Sequence, residues 1–437
     1  MGSDICSLTA SQIANQIALG TLTAEAVMVE HLRQIKARDS SVRAFIDFDA
    51  DRPLRLARAA DRQTEKGILH GVPFAVKDII DTLELPTTWG SPIYAGCQMP
   101  RNASCVEMLL RAGAIPIGKT VTTEFAYFSP GPTRNPHNLA HTPGGSSSGS
   151  AAAVADGMAA LGLGSQTAAS LTRPAAYCGV FGYKASQGSI DLQGVMGLAT
   201  SLDSLGVLAR GIDDLILARA ALCGTLVPND LPANSSTQTI ALLKGPHWAE
   251  ADQSTQETII EAREILAAAG VSVTDLECPP EFNQLSKYHK IVMAFEVARA
   301  RQFEFRNHPT KLSSAFYNLV ETGLATSREA YEAALAARDA GEAVLASLLS
   351  SFDAIMTPAA PSSAPAGIEA TGDPLFSRLW TLMRVPTVTI PFGRDVANLP
   401  LAFQLIGGFG EDQNLLTISR DVANHLQVSC ELPVLKS

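Results

Sequence analysis

The sequence has neither an excess of positive charge nor a long hydrophobic run. Its 437 residues carry 33 Lys and Arg against 43 Asp and Glu, which gives a formal net charge of −10. This balance argues against a nucleic-acid partner or an anionic membrane surface, both of which bind basic patches. Neither a run of about 18 apolar residues nor the basic-then-apolar start of a secretion signal is found. We therefore expect a soluble, cytoplasmic protein without a membrane partner.

Cysteine and histidine are few, and their spacing indicates neither a disulfide framework nor a metal site. The seven cysteines form no C-x-x-C pair, and their odd number favours reduced thiols that fill the core in a reducing compartment. The eight histidines show no H-E-x-x-H or similar ligand spacing, so we expect no metal.

The composition is that of a chain with a large core. Hydrophobic residues make up 46% and charged residues 17% of the sequence, which excludes global disorder. The length fits two or three average domains or one large α/β unit. Strand-like apolar runs alternate with segments of helical periodicity, which favours an α/β fold.

The individual elements follow from these periodicities. Helices are predicted at 9–19, 23–36, 52–66, 106–112, 212–222 and 255–268, and residues 284–350 are largely helical by periodicity. Strands are predicted at 71–80, 114–118, 179–183, 240–243, 271–276, 354–358, 387–391 and 401–406. Residues 123–138 read as a long ordered loop, and the polar stretch 228–239 as a connection.

Residues 141–179 hold two serine-bearing turns on either side of an alanine-rich run. The run can pack as a short buried helix. Glycine and serine in the turns let backbone N–H groups converge on one point, where an anion or a developing oxyanion is held. We interpret the stretch as the place of a serine nucleophile and its transition-state donors.

The first of these turns, Gly144–Ser150, has other interpretations. It is not a phosphate-binding P-loop, because the lysine of that motif is missing. It matches G-x-S-x-G with Ser147 in the centre, but the α/β-hydrolase elbow needs a preceding strand, and residues 140–143 do not form one. A solvated Ser/Gly linker fits poorly with the apolar run that follows at once.

Lys77 stands inside an apolar strand and is followed by Asp78. It is either a lysine at a strand end with its ammonium group in water, or a buried lysine that loses its proton readily because burial disfavours the charged form. A neutral lysine is a competent general base near pH 7.

Three motifs, in this order, resemble the amidase signature family. They are the G-V-P-x-x-V-K-D strand of Lys77, the G-G-S-S-x-G-S turn of Ser146, and the turn of Ser170, which is similar to T-x-G-S-x-R-P-A. The similarity is continuous over about residues 67–225 and patchier to the end of the chain. Further matches lie at 118–126, 134–137, 178–183, 201–203, 356–358 and 372–374.

The resemblance implies a Ser–cis-Ser–Lys triad. By motif position the base is Lys77, the bridging serine that follows a cis peptide bond is Ser146, and the nucleophile is Ser170. A neutral Lys77 would take a proton from Ser146, which relays one from Ser170, so that Ser170 Oγ attacks a carbonyl.

The second turn would hold the oxyanion. The resemblance places the backbone donors at Thr167, Ala168, Ala169 and Ser170. Two positions depart from the family pattern. Ala169 stands where glycine is usual, and it would cost about 1 kcal/mol if that position needs φ > 0. Gln166 stands where many members have aspartate.

The resemblance and the alternating elements together predict the architecture. We expect an α/β/α sandwich with a large, mostly parallel mixed twisted sheet that is covered by helices on both faces. The chain would be one amidase-type domain, with N-terminal helices at 1–66, a catalytic core at 67–227 and a C-terminal half at 228–437. A helical insertion at about 284–350 would lie on the substrate side.

The expected activity is a cofactor-independent hydrolysis of small amides, with a small-molecule amide or carbamate as the partner and a monomer or homodimer as the assembly. The same chemistry serves a carbamate (urethane) or an ester. A second class is the A-type subunit of a tRNA-dependent amidotransferase, and a third is a non-catalytic scaffold that kept the fold. Candidate substrate-lining residues are Tyr127, Phe128, Met293 and Trp380.

Overall fold

Helices and strands alternate along the chain, as the sequence predicts. The computed structural model describes residues 5–227 and 238–433. Within them the helices are α1 (Ala10–Ala18), α2 (Ala24–Val42), α3 (Asp51–Ala60), α4 (Ser104–Arg111), α5 (Ser148–Ala155), α6 (Thr172–Cys178), α7 (Ile212–Cys223), α8 (Gln253–Ala268), α9 (Leu285–Ala300), α10 (Gln302–Asn307), α11 (Ser314–Ala325), α12 (Arg328–Leu348), α13 (Arg378–Leu382) and α14 (Asp412–His425). The strands are β1 (Phe45–Asp47), β2 (Pro73–Lys77), β3 (Ile115–Thr120), β4 (Leu161–Gln166), β5 (Phe181–Lys184), β6 (Ser204–Ala209), β7 (Thr239–Leu243), β8 (Ser272–Leu276), β9 (Ala354–Pro358), β10 (Thr387–Arg394) and β11 (Pro400–Ile406).

Two predictions about the second half of the chain have different outcomes. The stretch 284–350 is largely helical, as predicted, because α9, α10, α11 and α12 fill it. Of the predicted connection at 228–239, residues 228–237 lie outside the described residues. The division of the chain at residues 66 and 227 stays a prediction.

The eleven described strands form one mixed sheet in the order β1-β3-β2-β4-β6-β5-β10-β11-β9-β7-β8. The pairs β2–β3, β2–β4, β7–β8 and β7–β9 are parallel, and the other six neighbouring pairs are antiparallel. The predicted α/β fold with a large mixed sheet is confirmed, whereas a mostly parallel sheet is wrong. Strands β10 and β11 show the cause. Only residues 395–399 connect them, and a parallel pair needs a crossover of a dozen residues or more, so these two strands are antiparallel.

Both faces of the sheet are covered along most of its strands, and the edge strand β8 is partly exposed. Strands β2, β3, β4, β5, β6, β9 and β11 are buried over their whole length, and successive side chains of a strand point to opposite faces. Helix α5 packs on β4, α7 on β6 and α14 on β10. No helix of the described ranges combines the length and the apolar character that crossing a membrane requires.

The third helix is shorter than predicted because of one carboxylate. The periodicity predicts a helix over 52–66, but α3 ends at Ala60. The next residue, Asp61, accepts hydrogen bonds from the backbone N–H groups of Ala24 at 2.7 Å and Glu25 at 3.0 Å. A carboxylate at the start of α2 satisfies N–H groups that have no partner inside that helix, so Asp61 ties the two helices together.

A buried ion pair joins α2 to the end of α5. Arg38 donates from Nε and Nη2 to the two carboxylate oxygens of Asp156, at 2.8 and 2.7 Å. The residues are 7% and 1% exposed, and Asp156 is the C-cap of α5. The pair therefore anchors the helix that follows the first serine turn.

Replacement of Asp156 by alanine should destabilise the protein by about 3–5 kcal/mol, because it leaves the Arg38 guanidinium buried without a counter-charge. Urea unfolding measures the effect. The double variant Arg38→Met with Asp156→Ala should recover part of the loss, since no charge remains buried. An unfolding midpoint equal to that of the unmodified protein for Asp156→Ala would contradict the prediction.

Candidate active site

Three neighbouring parallel strands, β3, β2 and β4, end at the same edge of the sheet. Lys77 is the last residue of β2 and is paired with Thr120, the last residue of β3. Gln166 ends β4, and the second serine turn continues directly from it. In α/β sheets, ligands bind in the crevice beyond the carboxyl ends of the parallel strands. The topology brings the lysine and this turn to that edge.

Lys77 is fully buried and is surrounded by oxygen atoms. Its Nζ lies 2.7 Å from Ser146 Oγ, 2.8 Å from Ser165 Oγ and 3.4 Å from the Ser165 carbonyl. All three oxygens are neutral, so none of them compensates for the loss of water around an ammonium group. Burial lowers the pKa of Lys77 to about 7, although the Asp203 carboxylate acts in the opposite direction.

Ser146 follows a strongly bent backbone. Gly144 has φ of +83°, which glycine adopts without steric cost, and the peptide bond between Gly145 and Ser146 is cis, as the resemblance implies. Arg173 donates from Nη2 to the Gly145 carbonyl at 2.8 Å. The Ser146 hydroxyl contacts Lys77 and is almost completely buried.

Ser146 and Ser170 line one cavity, together with Thr167, Ala168 and Ala169. Among the contacts of the described residues, the Ser146 hydroxyl bonds to Lys77, and no hydrogen bond joins it to Ser170 Oγ. The structure thus brings Lys77 and Ser146 into direct contact and places Ser170 on the wall of the same cavity.

The backbone of the second turn has its carbonyl groups occupied. The Thr167 carbonyl accepts from His289 Nε2 at 2.7 Å, and the Ala168 carbonyl from Thr381 Oγ1 at 2.8 Å. The carbonyls of Ala169 and Ser170 accept from the backbone N–H groups of residues 173 and 147. In the described ranges no protein acceptor takes the N–H groups of residues 168–170, so these amides are available to a ligand in the cavity.

The two departures from the family pattern have structural explanations. Ala169 is not among the residues with positive φ, so the strain considered for alanine at this position does not arise. Gln166 accepts from the backbone N–H groups of Leu171 and Thr172 at 2.9 and 3.0 Å. It also donates from Nε2 to Thr381 Oγ1 at 3.1 Å, which a carboxylate at this position is unable to do.

Comparisons with known proteins show what this chain is similar to. A family model described as Amidase matches residues 26–416. The A-type subunit of the glutamyl-tRNA(Gln) amidotransferase of Streptomyces coelicolor is 30% identical, with 96% of each chain covered. The chain belongs to the amidase family.

Solved structures of similar fold support the assignment. A chain from an inhibitor-bound protein complex, described with the origins of an s-triazine catabolic enzyme, superposes with a TM-score of 0.88 at 26% identity, over 98% of this chain and 100% of that chain. A structure described as an amidase gives 0.87 at 26% identity, over 96% and 100%. As an amidase-family enzyme, this protein acts on C–N bonds.

The walls of the amidase cavity contain three of the four predicted lining residues. Tyr127, Phe128 and Met293 border the cavity, and whether a substrate touches them stays a prediction. Trp380 does not border it, and its contact with a substrate also stays a prediction. Its side chain is 1% exposed and lies edge-on to Phe282, with ring centroids 5.9 Å apart, so it packs from α13 into the core.

One segment of the cavity wall has a strained backbone. Phe125 and Ala126 are consecutive residues with φ of +46° and +59°, a region that non-glycine residues occupy at a cost of about 1–3 kcal/mol each. The Glu124 carboxylate, which accepts from the Ser313 N–H at 3.1 Å, ties this segment to the start of α11. The amidase thus presents Ala126, the smallest side chain in this part of the wall, to the cavity.

Sequence reasoning missed four residues that surround the site. Ser165 contacts Lys77, and Asp203 accepts a hydrogen bond from Thr167 Oγ1 at 2.5 Å. His289 and Thr381 bind carbonyls of the second turn. Asp203 lies in a motif that matches the family, which is a usable signal, whereas no local pattern marks the other three.

Proposed function

We propose that this amidase hydrolyses the C–N bond of small amides through a serine acyl-enzyme, with Lys77, Ser146 and Ser170 as the proton relay. The observation that carries the proposal is the environment of Lys77. A buried lysine with a pKa of about 7 is largely neutral slightly above pH 7, which is the state that a general base needs.

The neighbours of Lys77 suit a neutral amine. Such an amine has two N–H donors and one lone pair. The hydroxyl and carbonyl oxygens of Ser165 accept the two N–H groups, which leaves the lone pair for the proton of Ser146 Oγ at 2.7 Å. Lys77 is therefore oriented to accept a proton rather than to donate one.

The reaction follows from this orientation. Ser146 gives its proton to Lys77 and takes one from Ser170, whose Oγ forms a bond to the substrate carbonyl carbon. The carbonyl electron pair moves to oxygen, and the oxyanion accepts from the free amides of residues 168–170. Such donors lower the barrier by about 3–4 kcal/mol each. The proton returns through Ser146 to the leaving nitrogen as the C–N bond breaks, and water then cleaves the acyl-enzyme by the same relay.

The relay has one contact that the substrate completes. Ser170 Oγ lies in the cavity without a hydrogen bond to Ser146, and such catalytic contacts commonly tighten when the substrate binds. A carbonyl oxygen seated on the amides of residues 168–170 would hold its carbon next to Ser170 Oγ. The proposal therefore places the attacking hydroxyl between the substrate and Ser146.

The cavity walls favour a small, largely apolar acyl group. Phe128, Leu198, Met293 and Pro374 border it, and Arg173 is the only charged residue among the described lining residues. The Arg173 guanidinium donates to neutral oxygens, including the Gly372 carbonyl at 2.8 Å. Amides, carbamates and esters all present the carbonyl that this arrangement needs, so the leaving atom decides among them.

A panel of matched substrates tests the proposal. Amide, carbamate and aryl-ester compounds with one common acyl group are compared by kcat/KM, and the Ser170→Ala variant gives the background. Turnover of the amide that is absent in the variant supports an amidase. A higher kcat/KM on the carbamate assigns a urethane hydrolase, and equal rates for both proteins would refute the proposal.

A second candidate is the A-type subunit of an amidotransferase, which the relative from Streptomyces coelicolor favours by its name and its 30% identity. Such a subunit would act on glutamine within a complex. The purified chain alone is assayed on glutamine and on simple amides. Hydrolysis of simple amides without any partner supports the hydrolase, and activity restricted to glutamine in the presence of partner subunits supports the amidotransferase.

Ser165 offers a prediction of its own. Ser165→Ala removes one of the two acceptors that orient the Lys77 amine, a loss of about 1.4 kcal/mol or tenfold in kcat, with little change in KM. Ser150→Ala is the matched control, because Ser150 is also buried but bonds to the Leu163 carbonyl at 2.9 Å instead. Equal kcat for the two variants would contradict the role of Ser165.

A further inference from the structure

The turn at residues 167–170, called the oxyanion turn below, accepts hydrogen bonds at its carbonyl groups, on the side opposite to its free N–H groups. A peptide group has its carbonyl on one residue and its N–H on the next, so the carbonyl of Thr167 belongs with the N–H of Ala168, and that of Ala168 with the N–H of Ala169. His289 Nε2 and Thr381 Oγ1 bond to these two carbonyls at 2.7 and 2.8 Å. A hydrogen bond at the carbonyl polarises the peptide and strengthens its N–H as a donor.

The proton of the Thr381 hydroxyl is directed toward the turn. Gln166 Oε1 accepts from the backbone N–H groups of Leu171 and Thr172, which fixes the orientation of its amide. Its Nε2 therefore faces Thr381 Oγ1 at 3.1 Å and donates to it. Since the hydroxyl oxygen accepts this bond, its proton goes to the Ala168 carbonyl.

The tautomer of His289 is fixed in the same way. Its Nδ1 lies 3.2 Å from Nη1 of Arg378, and a guanidinium only donates. Nδ1 is thus the acceptor, and the ring proton resides on Nε2, which donates to the Thr167 carbonyl. Burial, together with the charge of Arg378, lowers the pKa of His289 to about 3, so the ring stays neutral at every pH at which the enzyme is assayed.

We propose that Thr381 and His289 are positioning residues that strengthen the oxyanion donors of Ala168 and Ala169 through the far side of their peptide groups. This inference rests on the proposed function of the turn. Both residues are fully buried, at 1% and 0% exposure, and neither borders the cavity, so they act through the backbone and not on the substrate.

The chain Gln166–Thr381–Ala168 depends on an amide at position 166. A carboxylate of the same length, as in Gln166→Glu, would keep an oxygen for the same backbone N–H groups but would have no N–H for Thr381. The Thr381 hydroxyl would then turn its proton to that carboxylate and leave the Ala168 carbonyl without a donor. Gln166 and Thr381 therefore function as a pair in this chain.

Thr381→Val tests the proposal because it replaces the hydroxyl with a methyl group of similar size. We expect kcat to fall about tenfold, the loss of one polarising hydrogen bond in a buried network, while KM changes less than about twofold. Thr381→Ser keeps the hydroxyl and should restore kcat. A trifluoromethyl ketone gives a second readout, because Ser170 Oγ adds to its carbonyl carbon, the carbonyl oxygen becomes an oxyanion, and the serine gives its proton to the relay.

The two readouts separate a positioning role from a structural one. If Thr381 strengthens the oxyanion donors, affinity for the ketone falls in parallel with kcat, and affinity for an unreactive substrate analogue stays the same. Gln166→Glu, which keeps an oxygen for Leu171 and Thr172, should show the same pattern even if Thr381→Val does not fold. For His289, substitution by glutamine keeps an N–H donor and should retain more kcat than substitution by leucine.

The outcomes also distinguish this inference from the proposed function. Unchanged kcat and ketone affinity in Thr381→Val and Gln166→Glu, in a protein that Ser170→Ala inactivates, would overturn the positioning role and leave the acyl-enzyme intact. Full activity of Ser170→Ala would refute the proposed function itself. A parallel loss of kcat, ketone affinity and analogue affinity would assign these residues to the general structure of the cavity and also overturn the inference.

Discussion

Replacing Ser170 by alanine is expected to lower kcat by a factor on the order of 10⁶, the usual cost of removing a serine nucleophile. The side chain is small and borders the cavity, and no described hydrogen bond depends on its hydroxyl. The variant should therefore keep its unfolding midpoint and its affinity for a substrate analogue. Progress curves at high enzyme concentration and an unfolding curve measure the two quantities.

Ser148→Ala is the control for this variant. Ser148 belongs to the first serine turn, is buried, and donates to the Val121 carbonyl at 3.3 Å, and no described hydrogen bond joins it to Lys77. Its replacement should leave kcat within a factor of about two, as for ordinary substitutions away from a site. A covalent serine reagent followed by mass spectrometry gives an independent check, since it should label the peptide that contains Ser170. Labelling at Ser147 or Ser148 instead would argue against the assignment.

Local patterns predict Lys77 and the two Gly/Ser turns, whereas the choice of Ser146 and Ser170 within those turns comes from the family resemblance. A lysine inside an apolar strand is rare, and the Gly/Ser turns are too specialised for solvated linkers. Both patterns identify chemistry without any knowledge of the tertiary fold. The structure places Lys77 in contact with Ser146, and Ser170 on the wall of the same cavity, which is as far as local patterns reach.

Two central strands were not predictable in the same way. Strands β4 and β6 contain Gly162, Gly164 and Gly206, and glycine inside a strand weakens every propensity argument. The structure shows why glycine is needed: a Cβ on Gly206 would overlap the Tyr183 carbonyl, and one on Gly164 would contact the Leu171 side chain at 2.6 Å. The glycines that lower the strand propensity of these segments also allow the second turn to pack closely against the sheet.

The donors behind the oxyanion turn lie beyond any sequence pattern. His289 is 122 positions away from the carbonyl that it binds, and Thr381 is 213 away from its own. Trp380, the neighbour of Thr381, is the more conspicuous residue in the sequence, but its ring packs into the core. Position along α13, rather than residue type, decides which of the two side chains supports the site.

The second large effect is expected in the pH dependence of kcat/KM, and it depends on Lys77. In the proposed mechanism the lysine is a base and only its neutral form is active, so kcat/KM should rise with pH through a single ionisation near the pKa of about 7 and level off above it. Lys77→Met should lose nearly all activity at every pH. Lys77→Arg keeps the positive charge but does not release its proton, so it should be as inactive as the methionine variant. Activity of Lys77→Arg close to that of the unmodified enzyme would refute the role of a base.

The same shift predicts how the stability of the protein depends on pH. An unfolded lysine holds its proton up to a pKa of about 10.4, whereas folded Lys77 releases it above about 7. Between these values the unfolded chain binds more protons, so the contribution of Lys77 to the free energy of unfolding rises with pH. Lys119 and Lys184 are also buried with lowered pKa values, so the difference between the enzyme and Lys77→Met isolates the effect. In urea unfolding from pH 7 to 9 that difference should shift in favour of the unmodified enzyme, and a constant difference would mean that Lys77 keeps its proton in the folded state.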